Sequence, residues 1–223
     1  MTQRFLIGLI LFFSVLSCTQ QKENNDSVSP KSNQSVPDVP RAEVNTDTLR
    51  TEWQNPELVI SLLGNLSGET VLDIGAGSGY FSFKLATQAE KVIALEVDPK
   101  ALEYIEEQKV VLGNWTNNIE ARLTPPDVPN LLKDEVDKVL IVNTYSLLPN
   151  RQQYLPRLLE GMRKGALLVI IDFKLGEIPV GPSDDFKVQP KVVRKELREA
   201  GFGQIKIDLD ELAYQYIITA KKK

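Results

Sequence analysis

"VLDIGAGSGY", residues 71–80, decides how this chain is read. An apolar run ends in an acid, Asp73, and three glycines follow at alternate positions, Gly75, Gly77 and Gly79. Glycine enters left-handed backbone at no steric cost and puts no side chain between the main chain and a ligand. A strand that runs into such a turn and leaves it as a helix can hold a ligand against its own backbone. Glycines are also plain turn formers, so the segments on either side carry the weight.

Working outward, "TVLDIG" has the length and apolar content of a buried strand, and "YFSFKLATQA" returns to helical spacing through Phe83 and Ala86. Upstream, Leu58, Leu62 and Leu66 recur every fourth residue in one amphipathic helix, with Asn55 as its cap and Pro56 in its first turn. Downstream, "KVIALEV" is a second strand, and Asp98-Pro99 caps the helix "KALEYIEEQK". "IEARL", "VDKVLIVNT" and "GALLVIIDF" supply three more strands, with the helix "NRQQYLPRLLEGM" between the last two. The helix "PKVVRKELREAG" then leads into two closing strands, "QIKIDLD" and "AYQYIITA". Strands alternating with helices imply parallel crossovers and helices on both faces of one sheet. The last two strands, joined only by a short turn, form an antiparallel hairpin.

Composition and the N-terminal segment bound the setting. Thirty acids against 26 bases, without a basic cluster, argue against a nucleic-acid partner, because phosphate neutralisation needs a basic face. Residues 1–18 carry one positive charge, Arg4, before the apolar run "FLIGLILFFSVL" and then "SC". Twelve apolar residues are too few to span a bilayer as a helix and suit the core of an export signal. The ending Val15-Leu16-Ser17-Cys18 resembles a bacterial lipobox, which makes Cys18, the sole cysteine, a lipidation site. An uncleaved N-terminal anchor is the other reading. Residues 19–45 are rich in Ser, Asn, Gln and Pro and too poor in large apolar groups to fold, so they read as a disordered linker. The folded domain then occupies residues 46–223, on a lipoprotein anchored in the cell-envelope membrane.

The glycine spacing discriminates among nucleotide sites. A dinucleotide fingerprint needs its third glycine one residue later than Gly79, and a P-loop needs a Lys-Ser or Lys-Thr that is missing here. Asp73-x-Gly75-x-Gly77-x-Gly79, with the order of elements, resembles the class I S-adenosylmethionine (SAM)-dependent methyltransferase family over roughly residues 48–221. The resemblance implies a Rossmann-like, doubly wound seven-stranded sheet whose last strand is inserted antiparallel, and SAM as the cofactor. It also implies that Gly75, Ala76, Gly77 and Gly79 shape the cofactor turn. Asp73 would position that turn or meet the methionine ammonium.

Glu96 closes the second strand, 23 residues after Asp73, where an exposed carboxylate can accept from both ribose hydroxyls, one oxygen to each. Ribose recognition is shared with nicotinamide-binding folds. Asp98 competes for that role but reads more economically as a helix cap. By the resemblance, Val97 packs on adenine or joins the core. Asp127, the first acid after the third strand, contacts the adenine amino group or is a turn residue.

On the reacting side the family resemblance assigns Asn143 to SAM or the acceptor, and Tyr145 to stacking on the acceptor or donating its hydroxyl. Related sequences read Asn-Thr-Tyr-His here, whereas this chain has Ser146 and no histidine at all. The usual near-neutral base is therefore missing. Trp53 and Gln54 resemble a lid over the cofactor, or else pack under the helix start; Asp172 and Lys174 line the pocket rim in the family pattern, or are a solvated strand end.

The expected activity is methyl transfer from SAM to a small-molecule or lipid acceptor, by a monomer or weak dimer, with no metal. Export would place the domain away from the cytosol, where SAM is made. That tension leaves open a non-catalytic envelope binding protein that retains the fold. A nicotinamide-dependent oxidoreductase is disfavoured by the glycine spacing and the terminal hairpin.

Overall fold

A computed structural model describes residues 47–223. The expected signal segment, Cys18 and the expected linker lie outside the described residues. Six helices and seven strands follow in the order α1 (Asp47–Gln54), α2 (Pro56–Ser61), β1 (Thr70–Ile74), α3 (Tyr80–Ala86), β2 (Lys91–Glu96), α4 (Pro99–Leu112), β3 (Ile119–Leu123), β4 (Val136–Val142), α5 (Arg151–Gly161), β5 (Met162–Phe173), α6 (Pro190–Glu199), β6 (Gly203–Asp208) and β7 (Gln215–Lys221). Among the described residues no helix is long and apolar enough to cross a membrane, and no group of three or more metal-binding side chains occurs.

The strands form one sheet in the order β3-β2-β1-β4-β5-β7-β6. All neighbours are parallel except β7, which runs antiparallel to both β5 and β6. The terminal hairpin is thus present, with its second strand inserted between β5 and β6. The apolar runs of the central strands are explained by burial on both faces. Leu72, Ile74, Ile93, Val139, Ile141 and Ile170 pack with Leu155 and Leu158 of α5 and with Val193 and Leu197 of α6. Their sequence neighbours Val71, Val92, Leu140 and Val169 face the other layer, with Val59, Phe81, Leu85 and Ile105 of α2, α3 and α4.

The N-terminal helix differs from its expectation. Asn55 adopts left-handed backbone, φ +47°, and divides the segment into α1 and α2, while its side chain caps Leu58 N–H at 3.3 Å. The second helix stops at Ser61: Leu63 N–H and Gly64 N–H shift to carbonyls three residues back, and Gly64 takes φ +76°. Leu63 and Leu66 are buried without being helical. Tertiary burial supplied the apolar spacing that looked like a longer helix.

Chain direction sets the position of the site. From β1 the crossovers run one way to β2 and β3, and from β4 they run the other way to β5. The order reverses between β1 and β4, and in such sheets the ligand crevice lies beyond the carboxyl ends of the strands at that point.

Candidate active site

The turn after β1 forms one bank of this crevice. Gly75, Gly77 and Gly79 all take left-handed backbone, with φ of +71°, +55° and +87°. Two of the three are glycines for packing. A Cβ at Gly75 would overlap the Thr144 side chain, and one at Gly79 would lie 2.8 Å from the Phe83 ring and 3.1 Å from Ile105. Gly77 differs, since a Cβ there would meet nothing within 4 Å. The middle glycine therefore borders open space. Leu95 carbonyl accepts from both Gly75 N–H, at 2.9 Å, and Ala76 N–H, at 3.2 Å, which ties the turn to β2. The Ala76 side chain is buried in the core, so it shapes the turn from below.

Glu96 meets this turn directly. Its Oε2 accepts from Gly77 N–H at 2.8 Å, while Oε1 accepts from Val97 N–H at 2.7 Å and Asp98 N–H at 3.1 Å. The carboxylate is buried, not exposed as expected, and it compensates three main-chain donors, one in the glycine turn and two just after β2. Oε1 is filled. Oε2 has one partner and keeps an acceptor site, so the expectation of one free oxygen for each ribose hydroxyl is reduced to Oε2. Asp98 is the helix cap, accepting from Lys100 N–H at 2.9 Å. Val97 is 43% exposed beside Glu96, an apolar surface available to a flat ring.

Asp73 lies beneath the turn, buried, and accepts from the Ser82 hydroxyl of α3 at 2.7 Å. Burial raises its carboxyl from 3.8 to about 6, against the lowering effects of the Ser82 bond and the Arg50 charge. Its observed part is to join β1 to α3 and so hold the turn. Asp127 sits exposed in the loop after β3, a loop pinned where the Thr124 hydroxyl bonds Val128 carbonyl and accepts from Asn130 N–H at 3.2 Å.

The other bank follows β4. Asn143 has φ +56°, and its side-chain amide donates to Gln54 Oε1 at 3.0 Å and accepts from Gln215 Nε2. Tyr145 departs from its expected place. It is fully buried, its hydroxyl donates to Glu196 Oε2 of α6 at 2.6 Å, and burial together with Glu196 pushes its pKa well above the usual phenol range. A ring sealed in the core cannot stack on an acceptor, and its hydroxyl is already committed.

Asp172 and Lys174 do not form a pocket rim either. Asp172 is buried, accepting from Ser146 N–H at 3.1 Å and Phe173 N–H at 2.8 Å, and desolvation raises it from 3.8 to about 6. Lys174 Nζ donates to the carbonyls of Leu212, at 2.7 Å, and Ala213, at 3.1 Å, fastening the hairpin turn. Trp53 packs on Phe173 with ring centroids 5.7 Å apart, and Gln54 is fully buried. Gln215, Arg50 and Thr144 went unnoticed in the sequence. Only Gln215 left a signal, a polar residue inside the apolar strand "AYQYIITA", where burial demands partners.

A profile described as the TRM5/TYW2 methyltransferase domain matches residues 59–191, from α2 to the start of α6. The chain belongs to this methyltransferase domain family. Demethylmenaquinone methyltransferase of Tropheryma whipplei (strain Twist) is 27% identical over 156 residues, covering 70% of this chain and 60% of the relative. An rRNA adenine N-6-methyltransferase of Limosilactobacillus reuteri is 24% identical over 140 residues, covering 56% of this chain and 57% of the relative. The chain thus spans about three fifths of the length of the curated relatives it matches. The crystal structure of a SAM-dependent methyltransferase from Aquifex aeolicus superposes with a TM-score of 0.72 at 27% identity, covering 79% of this chain and 94% of that one.

SAM is the cofactor of this methyltransferase domain, and the residues present fit it. The methionine half of SAM carries no phosphate, and the turn offers open space over Gly77 instead of an anion-binding nest. A carboxylate oxygen that keeps an acceptor site adjoins that space through the Glu96–Gly77 bond.

Proposed function

We propose that this chain transfers the methyl group of SAM to a small-molecule or lipid acceptor. The observation that carries the reading is the Glu96 carboxylate bonded to Gly77 N–H, which brings the sugar-binding acid and the open glycine to one crevice at the reversal of strand order. Bound SAM supplies an electrophilic methyl on a sulfonium centre. The chain's own residues bind and orient: Glu96 takes a ribose hydroxyl, Val97 and Asp127 flank adenine, Gly77 admits the methionine half, and Asn143 faces the reacting end from β4. Asp73 holds the turn through Ser82.

Methyl transfer by in-line displacement depends on alignment more than on proton transfer. That suits a chain with no histidine and with Tyr145 sealed against Glu196. The acceptor class we favour is soft or already deprotonated at neutral pH, since such a group needs no base. An excess of acids, 30 to 26, favours a small or lipid acceptor over a nucleic acid. That choice parts the two curated relatives, one a demethylmenaquinone and the other an rRNA methyltransferase.

Export and lipidation at Cys18 belong to the same proposal, on the strength of the apolar run and the lipobox-like ending. Two measurements test it. Full-length chain is incubated with methyl-labelled SAM and either a bacterial lipid extract, a small-molecule extract or total RNA. Label entering the lipid or small-molecule fraction is the expected result, and label in RNA alone rejects the acceptor class. Separately, Cys18→Ala is expected to abolish labelling by fatty acid and release the chain from membranes. Retention with unchanged processing rejects the anchor.

A further inference from the structure

Three primary amides close a ring at the edge of the crevice. Gln54 Nε2 donates to Gln215 Oε1 at 2.6 Å, Gln215 Nε2 donates to Asn143 Oδ1, and Asn143 Nδ2 donates to Gln54 Oε1 at 3.0 Å. Each side chain donates once and accepts once. The members come from the last residue of α1, the residue after β4 and the first residue of β7, so no two belong to one element. Gln54 and Gln215 are fully buried, where an unmatched amide is costly. The cycle therefore favours being wholly closed over being partly made.

The first helix is also fastened at a second place. The Thr51 hydroxyl bonds the Tyr80 hydroxyl at 2.9 Å, and the Arg50 guanidinium lies 4.2 Å over the Tyr80 ring. Tyr80 opens α3, directly after Gly79 of the cofactor turn. Trp53 packs on Phe173 at the end of β5. An eight-residue helix thus bridges the two banks: the helix leaving the glycine turn on one side, the ends of β4, β5 and β7 on the other. Contacts on the α3 side are exposed, whereas the amide ring is buried on the other. The ring is the firmer attachment.

We propose that the Gln54–Asn143–Gln215 ring is a catch holding α1 across the crevice, so that cofactor exchange requires it to open, with Gln215 as the positioning residue that sets the rate. The proposal rests on SAM being the ligand of that crevice. Ring closure also fixes which way the Asn143 amide presents itself, so the same residue would orient the reacting end only while the catch is shut.

The chemistry of the ring supplies a specific test. A carboxylate only accepts hydrogen bonds, while a protonated carboxyl donates once and accepts once, as each amide does here. Gln215→Glu therefore opens the ring when ionised and can close it when protonated, and burial favours protonation at mildly acid pH. Gln215→Leu can close it at no pH. The reporter is Trp53 fluorescence in a full-length chain carrying Trp115→Phe, the only other tryptophan, with SAM mixed in and then displaced by S-adenosylhomocysteine in a stopped-flow instrument.

At pH 8.5 both Gln215 variants are expected to exchange SAM at least about tenfold faster, the size expected for the one ring hydrogen bond that ionised Gln215→Glu loses, while Gln215→Leu loses two. At pH 5.5 Gln215→Glu is expected to return to the parent rate while Gln215→Leu stays fast. A Gln215→Leu chain with native circular dichroism and the parent exchange rate overturns the proposal. Should the parent chain bind no SAM, the cofactor reading fails, and the catch is read from amide hydrogen exchange instead. Gln215→Leu must then lose protection over residues 51–54 relative to the parent, and unchanged protection overturns the catch on its own.

Discussion

The Glu96 carboxylate reaches from the end of β2 to the Gly77 N–H at 2.8 Å, so the acid of one strand and the glycine turn of another share a hydrogen bond. Substituting Glu96 strips an acceptor from three main-chain donors and, on the proposed reading, from a ribose hydroxyl. Glu96→Gln is the sharper variant, because its NH₂ group would face an N–H donor whichever way the amide turns. SAM affinity is expected to fall roughly ten- to a hundredfold in both Glu96→Ala and Glu96→Gln, from one charge-assisted hydrogen bond to a ribose hydroxyl lost or misdirected. Isothermal titration reads it, and a Gln variant binding like the parent would detach Glu96 from the cofactor.

Gly75 and Gly77 have different reasons for being glycine, and alanine separates them. At Gly75 the new Cβ collides with Thr144, so Gly75→Ala is expected to cost at least about 3 kcal/mol of stability from overlap plus left-handed strain. Thr144→Ala in the same chain should recover part of it. At Gly77 the space is open, and the stability cost should stay at about 1 kcal/mol, the strain alone. Its SAM affinity should nevertheless drop more than that of any variant matched for stability. Urea denaturation and titration together check the contrast.

Burial holds the Asp73 carboxyl at about 6 against an ordinary 3.8. Folded protein thus keeps a proton that the unfolded chain releases between those values. The stability this contributes is complete below pH 4 and is lost as pH rises through 6. Asp172 follows the same direction. Asp73→Asn keeps an acceptor for Ser82 but has no charge to desolvate. Its melting temperature, relative to the parent, is expected to rise between pH 4 and pH 7, and a flat difference across that window refutes the raised carboxyl.

How far the sequence could be read divides along physical lines. The succession of strands and helices along the chain and the glycine turn were legible because apolar runs, turn residues and caps are local, as at Asp98-Pro99, whereas the insertion of the last strand came only with the family resemblance. The break at Asn55 was half legible: the cap was visible, but a left-handed φ at a non-glycine residue is not. Glu96 was found at its position and misjudged in its burial, since three main-chain donors converge on it only once β2 and the turn are assembled. The amide ring was out of reach. Its members are separated by 89 and 72 residues, and no spacing encodes such a meeting.

Tyr145 offers the last test, because its sequence role and its structural role predict different outcomes. A tyrosine at the acceptor side would lose methyl transfer on conversion to Phe while keeping its stability. The observed hydroxyl instead donates to Glu196, which also holds Arg151 Nε at 3.0 Å, so removing it leaves Glu196 with a partner. Tyr145→Phe should therefore lose one buried hydrogen bond to a charged acceptor, about 1.5–2 kcal/mol, and lower the melting temperature by roughly 3–6 °C. SAM affinity should not change, since the ring packs with Leu155 and Val193 in the layer beneath the sheet. Differential scanning calorimetry beside titration decides it. A stable Tyr145→Phe chain with defective methyl transfer would return the hydroxyl to the acceptor.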